Sequence, residues 1–285
     1  MPAIDLHTHS TASDGTMTPA ELVRAAREAG LAAIALTDHD TIDGLPEALE
    51  AGVKAGIEVV PGCELSVETE IGALHIVGLW VDPYSYTLKK AFDEIRERRR
   101  SRNEQMVANL SRLGFAISME DLQAEACGTI GRPHMARVLV ARGLVKDFEH
   151  AFDGFLGRNG KAYVPKDNIS DVEAFELLHS TGATPILAHP FLISHNEDEL
   201  ESEVRRLKEL GLEGIEVYYS SHTIEMTGFI KKLAKKYNLL PSGGSDFHGY
   251  VKPDIQLGKG VGNLFVHNSV LDGLKAYRKS RGLKI

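Results

Sequence analysis

Histidines and carboxylates stand at the ends of apolar runs along the whole length of this 285-residue chain, and that placement restricts its fold more than any other feature. His7-Thr8-His9 and Asp14 come near the start, then Thr37-Asp38-His39, Glu64 and His75, then Ala188-His189-Pro190, and finally Ser245-Asp246-Phe247-His248. His7, Asp38-His39, Glu64, His189, Asp246 and His248 each follow a short apolar stretch that reads as a strand. A βα barrel gathers such residues, because the C-terminal ends of its parallel strands open on one mouth. Imidazole nitrogen and carboxylate oxygen, without thiolate, suit Zn, Mn or Fe in a hydrolytic centre. One histidine after a strand is ordinary; the whole series points to a polynuclear metal site.

Spacing adds detail. His7 and His9 are two apart, so on an extended strand end they face one way. Gly62, Gly243 and Gly244 beside ligand positions allow close backbone approach. His75 opens its apolar run instead of closing it, and two readings stand: a ligand, or a core histidine bonded to a carbonyl. His150, His179, His195, His222 and His267 lack the strand-end context and read as surface residues or as residues behind the ligands.

The order of elements supports a barrel. Thr18-Pro19 opens a helix and Gly30 closes it, with a hydroxyl N-cap, proline in the first turn and glycine just past the end. Residues 32–37 are an all-apolar strand of the kind found in parallel sheets. Further strands are expected at 58–61, 74–81, 184–188, 214–219, 239–242 and 262–267, mostly separated by helices. The alternation breaks near residue 83 and resumes near 166. The expected fold is therefore α/β, a barrel of residues 1–82 and 166–285 with a small helical insertion at 83–165.

The insertion carries its own signal. Leu88, Phe92, Ile95, Met106, Leu110 and Leu113 form a helical stripe, and its steps of three and four pass through Arg99 and Arg102. That phase favours two inward-facing phosphate clamps over a solvated charge run. Asn103 borders the same face. Gly131-Arg132-Pro133-His134 opens another helix, where His134 either binds an anion with backbone N–H groups or caps the helix. Lys161, in a basic loop, is a phosphate contact or a solvated lysine.

Composition excludes some partners. A formal charge of −8 argues against non-specific binding to nucleic acid, duplex DNA included. Two cysteines, Cys63 and Cys127, without a CxxC pair fit a reducing compartment better than a disulfide framework. No apolar run has the length of a membrane span, and no leader pattern precedes the first strand. A cytoplasmic enzyme is expected.

His7-x-His9, Asp14, Asp38-His39, Glu64, His75, Ala188-His189-Pro190 and Gly244-Ser245-Asp246-x-His248 together resemble the PHP (polymerase and histidinol phosphatase) family of the amidohydrolase superfamily. The resemblance implies a distorted (β/α)7 barrel with three divalent ions. It implies that His7, His9, Glu64 and Asp246 hold the first ion, and that Glu64 bridges to a second held with His75 and His189. Asp14, His39 and His248 would hold the third. Asp14 stands where some relatives carry histidine, which favours Mn, or Fe, over Zn. The Arg-rich helix, Gly131-x-x-His134-x-Ala136-Arg137 and Lys161-x-Tyr163-Val164-Pro165 look like the nucleoside 3′,5′-bisphosphate phosphatases within that family, a branch related to 5′-to-3′ exoribonucleases. The implied reaction removes the 3′-phosphate of adenosine 3′,5′-bisphosphate to leave AMP. Arg99, Arg102, Asn103, His134 and Lys161 would contact substrate, and Asp38 or His189 would assist the leaving oxygen. The alternatives are an exoribonuclease on short 5′-phosphorylated RNA, a histidinol phosphatase, or a non-catalytic PHP binding module. The last is disfavoured because every ligand position is filled.

Overall fold

Alternation along the first strand sets up the site. In β1 (Ala3–Thr8), Ile4 and Leu6 point into an apolar cluster with Ala33, Ala35, Val60, Val77 and Ile186. Asp5 and His7, with His9 beyond the strand, alternate with them and share the other face. The computed structural model describes residues 3–69, 72–125, 130–165 and 168–285; Cys127 and Lys166 lie outside the described residues.

The first helix forms as its cap dictates. In α1 (Pro19–Glu28), Thr18 Oγ1 accepts from the Glu21 N–H and Glu21 Oε2 accepts from the Thr18 N–H, a reciprocal capping box. β2 (Ala33–Leu36) pairs in parallel with neighbours on both sides and is wholly buried, as its sequence AIAL requires. α2 (Leu45–Ala55) ends at Gly56 in the left-handed conformation, φ 65°.

The structure departs from expectation at the third strand. Instead of stopping at Pro61, β3 (Glu58–Thr69) continues and turns back as β4 (Gly72–Leu79), an antiparallel hairpin with Glu64 opposite Val77 and Ser66 opposite His75. Past Pro61, buried Cys63, Leu65 and Val67 alternate with Glu64, Ser66 and Glu68, which is strand periodicity. The proline breaks no pairing, because its carbonyl still accepts from the Val81 N–H at 3.1 Å.

The remaining strands are β5 (Ile169–Ser170), β6 (Thr184–Leu187), β7 (Gly214–Tyr219), β8 (Leu240–Gly244) and β9 (Val266–His267). Among the described residues the main path of the sheet runs β8-β7-β6-β4-β3-β2-β1-β9, with β5 on β3. β1 to β3 are parallel, as are β6 to β8; the antiparallel β4 joins the two sets. β9 is shorter than expected because residues 259–264 form turns, with Gly262 and Leu264 both donating to the Lys259 carbonyl.

The segment that follows β8 returns to β1 at the site. Asp246 N–H donates to the His7 carbonyl, and His9 N–H to that of Phe247, each at 2.9 Å. The buried Asp5 carboxylate accepts from the backbone of Ser245 and of Gly258, each at 2.8 Å. The result is the expected α/β barrel, distorted by its antiparallel strand.

The chain divides into two compact units, residues 1–92 with 169–285, and residues 93–168. The second is helical, containing most of α3 (Tyr86–Arg112), then α4 (Met119–Glu125), α5 (Arg132–Ala141) and α6 (Phe148–Ala151). Its core is built from Met106, Leu110, Leu122, Met135, Leu139 and Leu156.

Candidate metal centre

Glu64 is the hub of the barrel's polar cluster, and strand pairing puts it there. It is fully buried in β3, where its N–H donates to the Asp38 carbonyl and its own carbonyl accepts from Asp40. Its Oε1 lies 2.9 Å from His75 Nδ1 and 3.1 Å from His189 Nε2. Its Oε2 lies 3.2 Å from His7 Nε2, His9 Nε2 and His39 Nδ1 alike. One carboxylate thus touches imidazoles from β1, the β2 end, β4 and the β6 end.

The rest of the set closes around these. Asp246 Oδ1 lies 3.3 Å from His9 Nε2 and 3.4 Å from His248 Nδ1. Asp14 Oδ1 lies 3.3 Å from His248 Nε2, and Asp14 Oδ2 lies 3.9 Å from His39 Nε2. His189 and Asp246 both have positive φ, 29° and 58°. Such backbone in non-glycine residues is costly and clusters at functional sites.

Burial and charge oppose each other here. Burial pushes the Glu64 carboxyl up, but His39, His7 and His75 outweigh it and hold it well below the usual range. Burial likewise raises Asp246, and His9, His7 and Lys252 bring it well below its ordinary value. His9 would be lowered by burial, yet hydrogen bonds to Asp246 and Glu64 carry it to about 9. Burial takes His39 down to about 3 against the pull of Glu64. Protons and divalent ions compete for such nitrogens.

The donors suit clustered divalent ions. His7 Nε2 lies 3.1 Å from His9 Nε2, and His75 Nδ1 lies 3.2 Å from His189 Nε2. Ring nitrogens this close need a proton or a cation between them. His9 Nδ1 and His189 Nδ1 are buried without hydrogen-bond partners. Among the described residues three overlapping groups could each hold an ion: His9, Asp14, His39 and His248; His7, His9 and Asp246; and His39, Glu64 and His75.

The PHP domain profile matches residues 5–132. A 5′-3′ exoribonuclease of Haemophilus influenzae is 34% identical over 94% of this chain and 96% of its own. The chain belongs to the PHP family. A 3′,5′-nucleoside bisphosphate phosphatase of Chromobacterium violaceum is 35% identical over 87% of this chain and 88% of its own. A solved structure from Bifidobacterium adolescentis, described as a metal-dependent phosphoesterase, superposes with a TM-score of 0.78 at 32% identity, covering 96% of both chains. This PHP protein is a metal-dependent phosphoesterase. No helix among its described residues is long and apolar enough to cross a membrane.

The expected ligands His7, His9, Asp14, His39, Glu64, His75, His189, Asp246 and His248 therefore converge in one cluster. Asp38 has a different setting. Its Oδ1 accepts from Ser10 N–H at 2.7 Å and Ser13 Oγ at 2.6 Å, and its Oδ2 from Ser10 Oγ at 2.6 Å. Those bonds fix the turn that presents Asp14.

Within the helical unit, Arg99 is half-buried and Arg102 and Asn103 are buried, in phase with Met106 and Leu110. Arg102 Nε donates to the Val164 carbonyl, and Asn103 Nδ2 to that of Ile130, each at 3.0 Å. His134 Nδ1 accepts from Gly131 N–H at 3.1 Å, which is the capping arrangement. Lys161 is exposed.

Sequence reading missed Glu216, Tyr219 and Lys252. Glu216 Oε1 lies 2.9 Å from His7 Nδ1, and its Oε2 accepts from His189 N–H at 2.6 Å. It fixes the His7 proton on Nδ1 and turns Nε2 towards the cluster. Tyr219 OH and Lys252 Nζ both donate to Asp246 Oδ2, at 2.8 and 2.6 Å, leaving Oδ1 to face the imidazoles. The one available signal was an acid inside an apolar strand, Gly214-Ile215-Glu216-Val217. Glu216→Gln should weaken divalent-ion affinity by about 10- to 100-fold, read by calorimetry on metal-free protein. Unchanged affinity would remove the orienting role.

Proposed function

We propose that this PHP protein is a phosphomonoesterase that removes the 3′-phosphate of adenosine 3′,5′-bisphosphate, giving AMP and phosphate. The observation that carries the reading is the buried Glu64 carboxylate, whose two oxygens each gather a separate set of imidazoles. That is the donor arrangement a polynuclear hydrolytic centre needs. Divalent ions bound there, three of them and Mn first, supply Lewis acidity towards phosphoryl oxygens and make water acidic enough to ionise near neutral pH.

The chain's own residues supply the rest. Glu64 couples the His7, His9 and His39 side of the cluster to the His75 and His189 side. Asp246 presents one oxygen while Tyr219 and Lys252 hold the other. Asp38 positions Asp14, and we assign it that role in place of proton donation, because both its oxygens already accept hydrogen bonds. His189 acts among the ligands. Arg99, Arg102, Asn103 and Lys161 are the helical unit's candidate contacts for a second phosphate, while His134 caps its own helix through the Gly131 N–H. In the barrel, the buried free thiol of Cys63 in β3 accords with a cytoplasmic setting.

A second reading is exoribonuclease action on short 5′-phosphorylated RNA, favoured by the near full-length match to the Haemophilus influenzae relative. One assay decides between them. Mn-loaded protein is offered adenosine 3′,5′-bisphosphate, AMP, histidinol phosphate and short 5′-phosphorylated RNA. Phosphate release from the bisphosphate with AMP left intact is the expected result; mononucleotide release from RNA with the bisphosphate untouched would replace it with the second reading.

A further inference from the structure

Beside the metal centre the barrel unit holds a cavity of about 820 Å³, within the size range of small-molecule sites. Tyr218, Tyr219, His222, Lys231, Asn263 and Phe265 line it. Tyr219 belongs to both places: it lines the cavity and its hydroxyl donates to Asp246. An occupant would thus touch the residue whose hydroxyl holds the Asp246 carboxylate.

The lining chemistry narrows the occupant. Phe265 is 52% exposed, with its ring 6.3 Å from that of His267. The Lys231 ammonium lies 4.9 Å from the centre of the Tyr218 ring. His222 is only 5% exposed, and its Nδ1 lies 3.1 Å from the Val217 carbonyl. A carbonyl only accepts, so Nδ1 carries the proton. Burial holds the ring below its ordinary value, so it is neutral. Nε2 is then a bare acceptor without a hydrogen-bond partner, and it has almost no accessible surface. The charged side chains in the lining, Lys231 and Glu225, cancel. A second phosphate is poorly served by such a cavity. A flat, uncharged ring is well served: aromatic faces to stack on and the Asn263 amide for an edge contact.

We propose that this cavity is the nucleobase subsite of the metal centre, taking a base such as adenine while the ester phosphate lies at the ligand cluster. The assignment rests on the nucleotide-phosphatase reading, but its test does not require hydrolysis. Adenosine, which has no phosphate, is titrated into the Mn-loaded protein and followed by calorimetry and saturation-transfer NMR. The wild-type protein binds it, and Phe265→Ala weakens binding roughly tenfold, the order expected for loss of one stacked ring. Asn263→Ala, at a turn position, weakens it as well and guards against a folding defect in the first variant. In parallel, both variants lower kcat/KM for adenosine 3′,5′-bisphosphate relative to glycerol phosphate, an ester with no base. Equal adenosine binding by wild type and both variants overturns the subsite, as does an unaltered preference for the nucleotide over glycerol phosphate. Adenosine binding that depends on Phe265, in a protein that hydrolyses no nucleotide, would end the phosphatase reading and leave the base site standing.

Discussion

Glu64→Gln should reduce kcat/KM on any phosphate ester by on the order of 10²- to 10³-fold, the loss expected when several kcal/mol of metal-supplied stabilisation is withdrawn. The substitution keeps size and shape but removes the negative charge that both imidazole sets share. His7, His9 and His39 on one oxygen, and His75 and His189 on the other, would then face a neutral amide. An amide nitrogen presents two donors and no lone pair, so one side of the cluster gains an N–H where it needs an acceptor. The metal content measured by mass spectrometry should fall together with activity, and added Mn should not restore the full rate. Full metal content with normal kcat would rule Glu64 out as the shared carboxylate.

How much of this was legible in the sequence follows from where the partners lie. His7 and His9 could be paired from their two-residue spacing alone, because alternation on an extended strand is local physics. The ligand strings could be placed at strand ends because each apolar run is short and bounded. Glu64 is legible, although the apolar run before it reads as a strand that ends at Pro61. Pro61 and Gly62 look like a stop, and the hairpin that carries Glu64 past them depends on pairing with β4. Glu216 and Asp5 are not legible for another reason. Each is one acid within an apolar strand, and what it does depends on contacts 209 and 240 residues away. Asp38 shows the same effect from the other side. Its neighbour His39 made it look catalytic, but Ser10 and Ser13 hold it, and no local pattern announces those bonds. Residue type and spacing thus disclosed the ligands, and tertiary pairing decided what surrounds them.

The helix phase of α3 leads to a second large effect. Arg102→Ala should raise KM for adenosine 3′,5′-bisphosphate by roughly 10- to 100-fold, while KM for a nucleoside 3′-monophosphate changes little. A hydrogen bond to a charged group contributes about 1.5–3 kcal/mol, and each 1.4 kcal/mol is about tenfold. The position is 8% exposed and sits in register with Met106 and Leu110, so its charge is held inside the helical unit and not solvated on its surface. Because Arg102 Nε also supports the Val164 carbonyl, alanine costs some stability there, and the melting temperature must be read beside the kinetics. Arg102→Lys separates the two roles. A lysine retains the charge but cannot reproduce the planar fork, so it should recover part of the bisphosphate affinity. Arg99→Ala, at a half-buried position on the same stripe, should act in the same direction with a smaller loss of stability. If KM for the bisphosphate and the monophosphate rise together in all of these variants, neither arginine reads the second phosphate, and bisphosphate preference must come from the barrel unit alone.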